Sequence, residues 1–206
     1  MTVTKQRQSH QQRKEESEYK LFNALINIIN SDGINAATCE RIGEVAGVSR
    51  GLTNQRLGKR DEMFSRLVDK LKQAQLDKLK RQDIEGMSAG EALRKYIDVH
   101  FEDLLNDAGY QAYFVLVAGS IAISPLLKEC VEEANLFVRD FLAGFIEKGI
   151  ETKEFNTSVD PEIHAATIGS YLLGVAILSR LKGTDDIEPL RAGAYALVSS
   201  IEVTKL

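Results

Sequence analysis

Residues 38–60, TCERIGEVAGVSRGLTNQRLGKR, constrain this chain more than any other stretch. Ile42, Val45 and Ala46 are apolar at helical spacing. Gly47 then supplies a position where a left-handed backbone carries no Cβ penalty. Ser49 follows two residues later, with an oxygen able to cap the free amides of a second helix. That second piece is polar, with Arg50, Asn54, Gln55 and Arg56 on it. A helix, a short glycine turn and a polar helix make a helix-turn-helix pattern.

The charge distribution bears on where such a motif would work. The chain of 206 residues has a formal net charge of -4. Residues 1–81 hold 16 Lys and Arg against 10 Asp and Glu, whereas residues 82–206 hold 10 against 20. A basic third carrying the motif and an acidic remainder suit a polyanion-binding head on a body that stays clear of the polyanion.

The rest of the chain is helical in pattern. Residues 1–14 are polar and basic and are expected to form a disordered arm. A helix begins at Ser17, with Leu21, Leu25, Ile28 and Ile29 as its core stripe, and stops near Asp32 and Gly33. Thr38 caps the first helix of the motif. After the break at Gly58 a long connecting helix spans residues 61–81, followed by a polar linker at 83–87. Ser88 with Glu91 makes a capping box for a helix to Asn106. Gly109 separates it from an apolar helix over 110–123. Ser124–Pro125 and Asp160–Pro161 are cap-plus-proline starts, for helices over 124–148, which Gly149 ends, and 160–182. A last helix spans 188–203. No strand alternation and no repeat is visible. The expectation is an all-α fold of about nine helices: a DNA-binding domain over 1–64, with the arm and a three-helix head, and a regulatory and dimerisation domain over 65–206.

Residues 1–65 resemble the DNA-binding domain of TetR-family transcriptional regulators. The resemblance rests on Gly33, Thr38, the run from Ile42 through Gly43, Glu44, Val45, Ala46, Gly47, Val48, Ser49 and Arg50 to Gly51, and the 59–63 segment. Where that family places an aromatic and one or two histidines after the second glycine, this chain has Asn54, Gln55, Arg56 and Leu57. Arginine reads guanine with a bidentate fork, and Asn or Gln reads adenine. Arg50, Thr53 and Asn54 are therefore expected at base edges, flanked by Gln55 and Arg56. Thr38 and Ser49 cap helices whose amino ends can face phosphates. Lys59 and Arg60 are placed for the DNA backbone.

The resemblance further implies a homodimer and a small-molecule effector of unknown identity. Small residues on the last two helices, Ala166, Gly169, Ser170, Gly174 and Ala194, with Leu197, Val198 and Ile201, are the expected interface. Tyr96, His100, Phe101, Tyr110, Tyr113, Phe114, Phe137, Arg139 and Phe141 lie on the helices expected to wall a ligand pocket, although most of them would serve equally as core.

No phosphate-binding loop, dinucleotide fingerprint, metal-ligand cluster or nucleophile elbow is present, so neither catalytic residues, cofactor nor metal is expected. Cys39 and Cys130 match no metal or redox spacing and fit free thiols in a reducing cytoplasm. The polar start lacks a secretory apolar region, and the apolar run at 112–123 is too short to cross a bilayer. The expected function is a ligand-responsive cytoplasmic regulator, most simply a repressor, that binds a palindromic site on double-stranded DNA as a dimer. The alternatives are a constitutive DNA-binding protein without effector and, less favoured, a helical enzyme.

Overall fold

The structure, a computed structural model, describes residues 10–182 and 187–203. Nine α-helices occur among them: α1 His10–Asp32, α2 Cys39–Ala46, α3 Arg50–Leu57, α4 Arg60–Arg81, α5 Ala89–Asn106, α6 Ala108–Ile123, α7 Pro125–Glu151, α8 Pro161–Lys182 and α9 Ile187–Ser199. The all-α architecture is as expected; among the described residues, extended pairing is limited to one bridge between Phe155 and Glu202.

Local chemistry sets most helix starts. Ser88 Oγ accepts from Glu91 N and Glu91 Oε2 accepts from Ser88 N, completing the capping box. Ser124 Oγ accepts from Leu127 N at 3.2 Å, and Asp160 Oδ1 from Ile163 N at 3.0 Å, each with proline following at the first helical position.

Several boundaries differ from expectation. Helix α1 starts at His10, not Ser17, so residues 10–14 belong to a helix rather than an arm; residues 1–9 lie outside the described part. Exposed pairs four residues apart, Gln11 with Glu15 and Lys20 with Glu16, support this polar beginning. Gly109 and Gly149 lie inside helices rather than between them. A Cβ at Gly109 would come 2.7 Å from Leu71 on α4, and one at Gly149 would come 2.2 Å from the Phe155 ring. Both glycines permit close approach. Helix α9 stops at Ser199 because the chain turns back to pair with the α7–α8 connection: Asn156 N donates to Ile201 O, and Val203 N to Glu154 O.

The interior forms two apolar clusters. One joins α1, Ile42, Leu57 and the first half of α4 (Met63, Phe64, Leu67, Val68) to Ala112, Leu116 and Val117 of α6 and Leu127, Val131 and Ala134 of α7. The other fills the body between α5, α7, α8 and α9. The head therefore shares its core with the body, and α4 has apolar residues in both clusters.

Candidate nucleic-acid interface and ligand cavity

The turn between α2 and α3 is built as its residue types dictate. Thr38 Oγ1 accepts from Arg41 N at 3.2 Å, Gly47 is left-handed at φ 67°, and Ser49 Oγ accepts from Leu52 N at 3.4 Å. Ile42 is buried, while Val45 is 47% exposed and so is not part of the core stripe. The two helices meet at Gly43, where a Cβ would fall 2.7 Å from both Thr53 Oγ1 and the Val48 carbonyl.

Thr53 is the main correction to the expected reading surface. It is wholly buried, its hydroxyl donates to Ser49 O at 3.1 Å, and it faces Gly43 rather than solvent. A base edge cannot reach it. The exposed face of α3 carries Arg50, Gly51, Asn54 and Gln55. Arg50 stands 70% exposed, with its nearest acid, Glu40, at 3.8 Å. Arg56 is half-buried, with Nε lacking a partner among the described residues. Arg60 donates to Ile34 O at 3.0 Å and to Asn35 Oδ1 at 3.3 Å and lies over the Phe64 ring, which ties it to the α1–α2 connection. Thr38, Ser49 and Lys59 are exposed.

Sequence reasoning missed Arg66 altogether. From α4 it donates to the Arg56 carbonyl at the end of α3, pairs with Glu18 of α1, and lies 5.4 Å from the Phe22 ring centroid. One side chain thus braces the last turn of α3 against α1 and α4.

A second feature is a cavity of about 90 Å³ in the body, walled by α4, α5, α6, α7 and α8. Tyr96, His100, Tyr110, Tyr113, Phe114, Phe137 and Phe141 come together on its wall, whereas Phe101 and Arg139 do not. Phe101 is buried in the body core, and Arg139 is directed to Asp140 and Glu162. The wall from α4 (Leu71, Lys72, Gln75, Leu76, Leu79) was not anticipated, because α4 looked only like a connector. Phe137 is 40% exposed, so the cavity reaches solvent on that side.

The imidazole and phenols that α5 and α6 place on this wall are held uncharged. His100 Nδ1 lies 2.7 Å from the Tyr110 hydroxyl, with the rings of Tyr110 and Phe114 edge-on to the imidazole. Burial pushes the imidazole down to about 3; the Leu172 carbonyl works in the opposite sense, without meeting the geometry of a hydrogen bond to Nε2. Burial also raises Tyr96 and Tyr110 well above the usual phenol range and Tyr113 to about 12. Between pH 6.5 and 3 the unfolded chain takes up a proton at His100 that the native chain refuses. Stability therefore falls as pH drops through that window, by about 1.4 kcal/mol per unit from this residue, and is fully retained above 6.5. Urea unfolding at pH 6.5 and 5 should show about 2 kcal/mol more loss in the wild type than in His100→Asn. Equal losses in the two proteins would contradict this.

The expected dimer residues divide. Ala194, Val198 and Ile201 are buried against the chain's own core and are corrected to interior positions. Ala166 and Ser170 are exposed, Gly174 and Leu197 are half-buried, and Gly169 lines the cavity. The exposed apolar side chains nearby are Ile163, Leu178 and Leu181 of α8 and Leu190 of α9, at 62, 52, 77 and 37%. The segment Pro161–Leu181 is long and apolar enough to cross a membrane by length and composition, and only 28% of it is buried. This differs from the sequence reading, which considered only residues 112–123.

No protein-family model and no curated protein sequence matches the chain. Its backbone is similar to solved structures along nearly its whole length. A TetR-family transcriptional regulator from Agrobacterium tumefaciens superposes with a TM-score of 0.79 at 16% identity, over 92% of this chain and 100% of that one. The fatty acid degradation regulator FadR from Bacillus halodurans gives 0.77 at 19% identity, over 88% and 94%. SmeT in complex with triclosan gives 0.77 at 17% identity, over 92% of each chain. The fold is that of the TetR-family transcriptional regulators.

Proposed function

We propose that this chain is a DNA-binding transcriptional regulator that acts as a homodimer, most simply a repressor, and releases its site when a small molecule fills the body cavity. The observation that carries the reading is the exposed face of α3, where Arg50, Asn54 and Gln55 stand clear of the core on a glycine-turned helix pair. These side chains have the donors and acceptors that distinguish base pairs in the major groove. The regulators with which the chain shares its fold supply independent support.

A single head cannot read a palindrome. Two recognition helices must lie about one duplex turn apart or a multiple of it, and the exposed apolar side chains of α8 and α9 are suited to pairing two subunits. Helix α4 provides the link to the cavity. Met63, Phe64, Leu67 and Val68 pack in the head, while Leu71, Gln75 and Leu79 face the cavity. A ligand that binds one setting of α4 better than another would bias head spacing by that difference in affinity.

Selection of duplexes from a random pool by the purified protein tests the proposal, with recovery of an inverted pair of half-sites as the expected result. Lys59, exposed at the start of α4, is assigned to phosphate. Lys59→Ala should weaken binding to every duplex alike and reduce the slope of log K against log salt by about one. A loss confined to one base position would contradict that role.

A further inference from the structure

The chemistry of the cavity wall narrows what can occupy it. Two polar atoms on that wall are buried and without partners among the described residues, Gln75 Nε2 from α4 and His100 Nε2 from α5. Unmet buried polar groups are costly, and each calls for an explanation. The Tyr110 hydroxyl and His100 Nδ1 are 2.7 Å apart. If the phenol donates, its proton and Nδ1 are both satisfied, and the remaining imidazole proton sits on Nε2. The opposite assignment would leave the phenol proton without an acceptor inside an aromatic wall. Both orphaned atoms are therefore N–H donors. Among the described residues, the remaining wall is mostly phenol, phenyl and leucine, with no Asp or Glu on it. Its one cation among them is Lys72, which is 33% exposed and 3.8 Å from Asp69.

We infer that the cavity takes an uncharged, mainly apolar molecule bearing a carbonyl oxygen, which accepts from Gln75 and His100. The inference rests on reading the cavity as the effector site. Two N–H donors repel an organic cation that the aromatic rings alone would welcome. A carboxylate would leave water for a wall whose titratable groups are neutral, with only a rim lysine already beside an acid to meet it. At about 30 Å³ per water, the volume corresponds to roughly three water molecules, which suits a one-ring compound with an end toward Phe137.

Four one-ring probes separate the possibilities: acetophenone, ethylbenzene, benzoate and phenyltrimethylammonium. Their affinities are measured on the free, full-length protein by NMR titration at neutral pH, so the result does not depend on DNA binding. Acetophenone should bind tightest. Gln75→Leu, a change at a half-buried position of α4, should weaken acetophenone about three- to tenfold while leaving ethylbenzene unchanged or tighter. His100→Leu, with folding checked by circular dichroism, should act in the same direction. The inference is overturned if ethylbenzene matches acetophenone in the wild type, if either ion binds more tightly than the ketone, if Gln75→Leu leaves the ketone unaffected, or if none of the four binds. None of those results would touch the assignment of α3 to DNA, which the duplex selection tests separately.

Discussion

Gly43→Val should cost about 3 kcal/mol of stability and abolish specific DNA binding, although Gly43 is buried and meets no DNA. Where α2 crosses α3, a Cβ on residue 43 would sit 2.7 Å from the Thr53 hydroxyl and 2.7 Å from the Val48 carbonyl. Neither can yield cheaply. Thr53 is β-branched, wholly buried and bonded to Ser49 O, and Val48 is backbone whose carbonyl precedes the cap of α3. The two helices must separate or tilt, and α3 loses the angle that presents Arg50 and Asn54 together. Gly51 is the control. It lies on the exposed face with open space around its Cβ position, so Gly51→Ala should stabilise α3 by about 0.5–1 kcal/mol. Thermal or urea unfolding of the two variants should give opposite signs. A Gly43→Val variant as stable as the wild type would mean that the crossing is looser than described.

Lys78→Met should be comparably damaging, at about 3–5 kcal/mol. Asp103 is 2% exposed on α5; its Oδ1 is paired with Lys78 of α4, and its Oδ2 has no partner among the described residues. Removing the cation strands a carboxylate between two helices. Lys78 is 31% exposed, so water can partly replace it, and the lower end of the range is expected. The double change Lys78→Met with Asp103→Leu should recover most of the loss, because replacing both members of a buried pair by apolar groups is close to neutral. A double variant as unstable as the single one would show that the pair is not what holds α4 to α5 beside the cavity.

Much of the fold was legible because helix ends are local chemistry. Thr38, Gly47, Ser49, Ser88 with Glu91, Ser124–Pro125 and Asp160–Pro161 each announce a start or stop through atoms within four residues of one another. Tertiary contact is not local, and it accounts for the misses. Thr53 looked like a base reader by its place on a polar helix, and only the crossing at Gly43 shows it turned inward. Gly109 and Gly149 looked like breaks because the close neighbours that require them, Leu71 and Phe155, lie elsewhere in the sequence. Ala194, Val198 and Ile201 were assigned to a partner, but α5 covers the face that two of them occupy on α9. In the cavity, the aromatic residues of α5, α6 and α7 were visible as a set. The wall from α4 was not, because periodicity marks which face is apolar and not what it meets.

The most direct test of the account is a fluorescence-anisotropy titration of a selected duplex with wild-type protein and with Asn54→Ala, each repeated on a duplex altered at single base pairs. Two chains should bind each duplex, with the variant about 1–3 kcal/mol weaker on the selected site and indifferent to changes at one symmetric pair of positions. A variant that keeps wild-type affinity and wild-type sequence preference would contradict the placement of α3 in the groove, as would wild-type protein that binds no duplex at low salt.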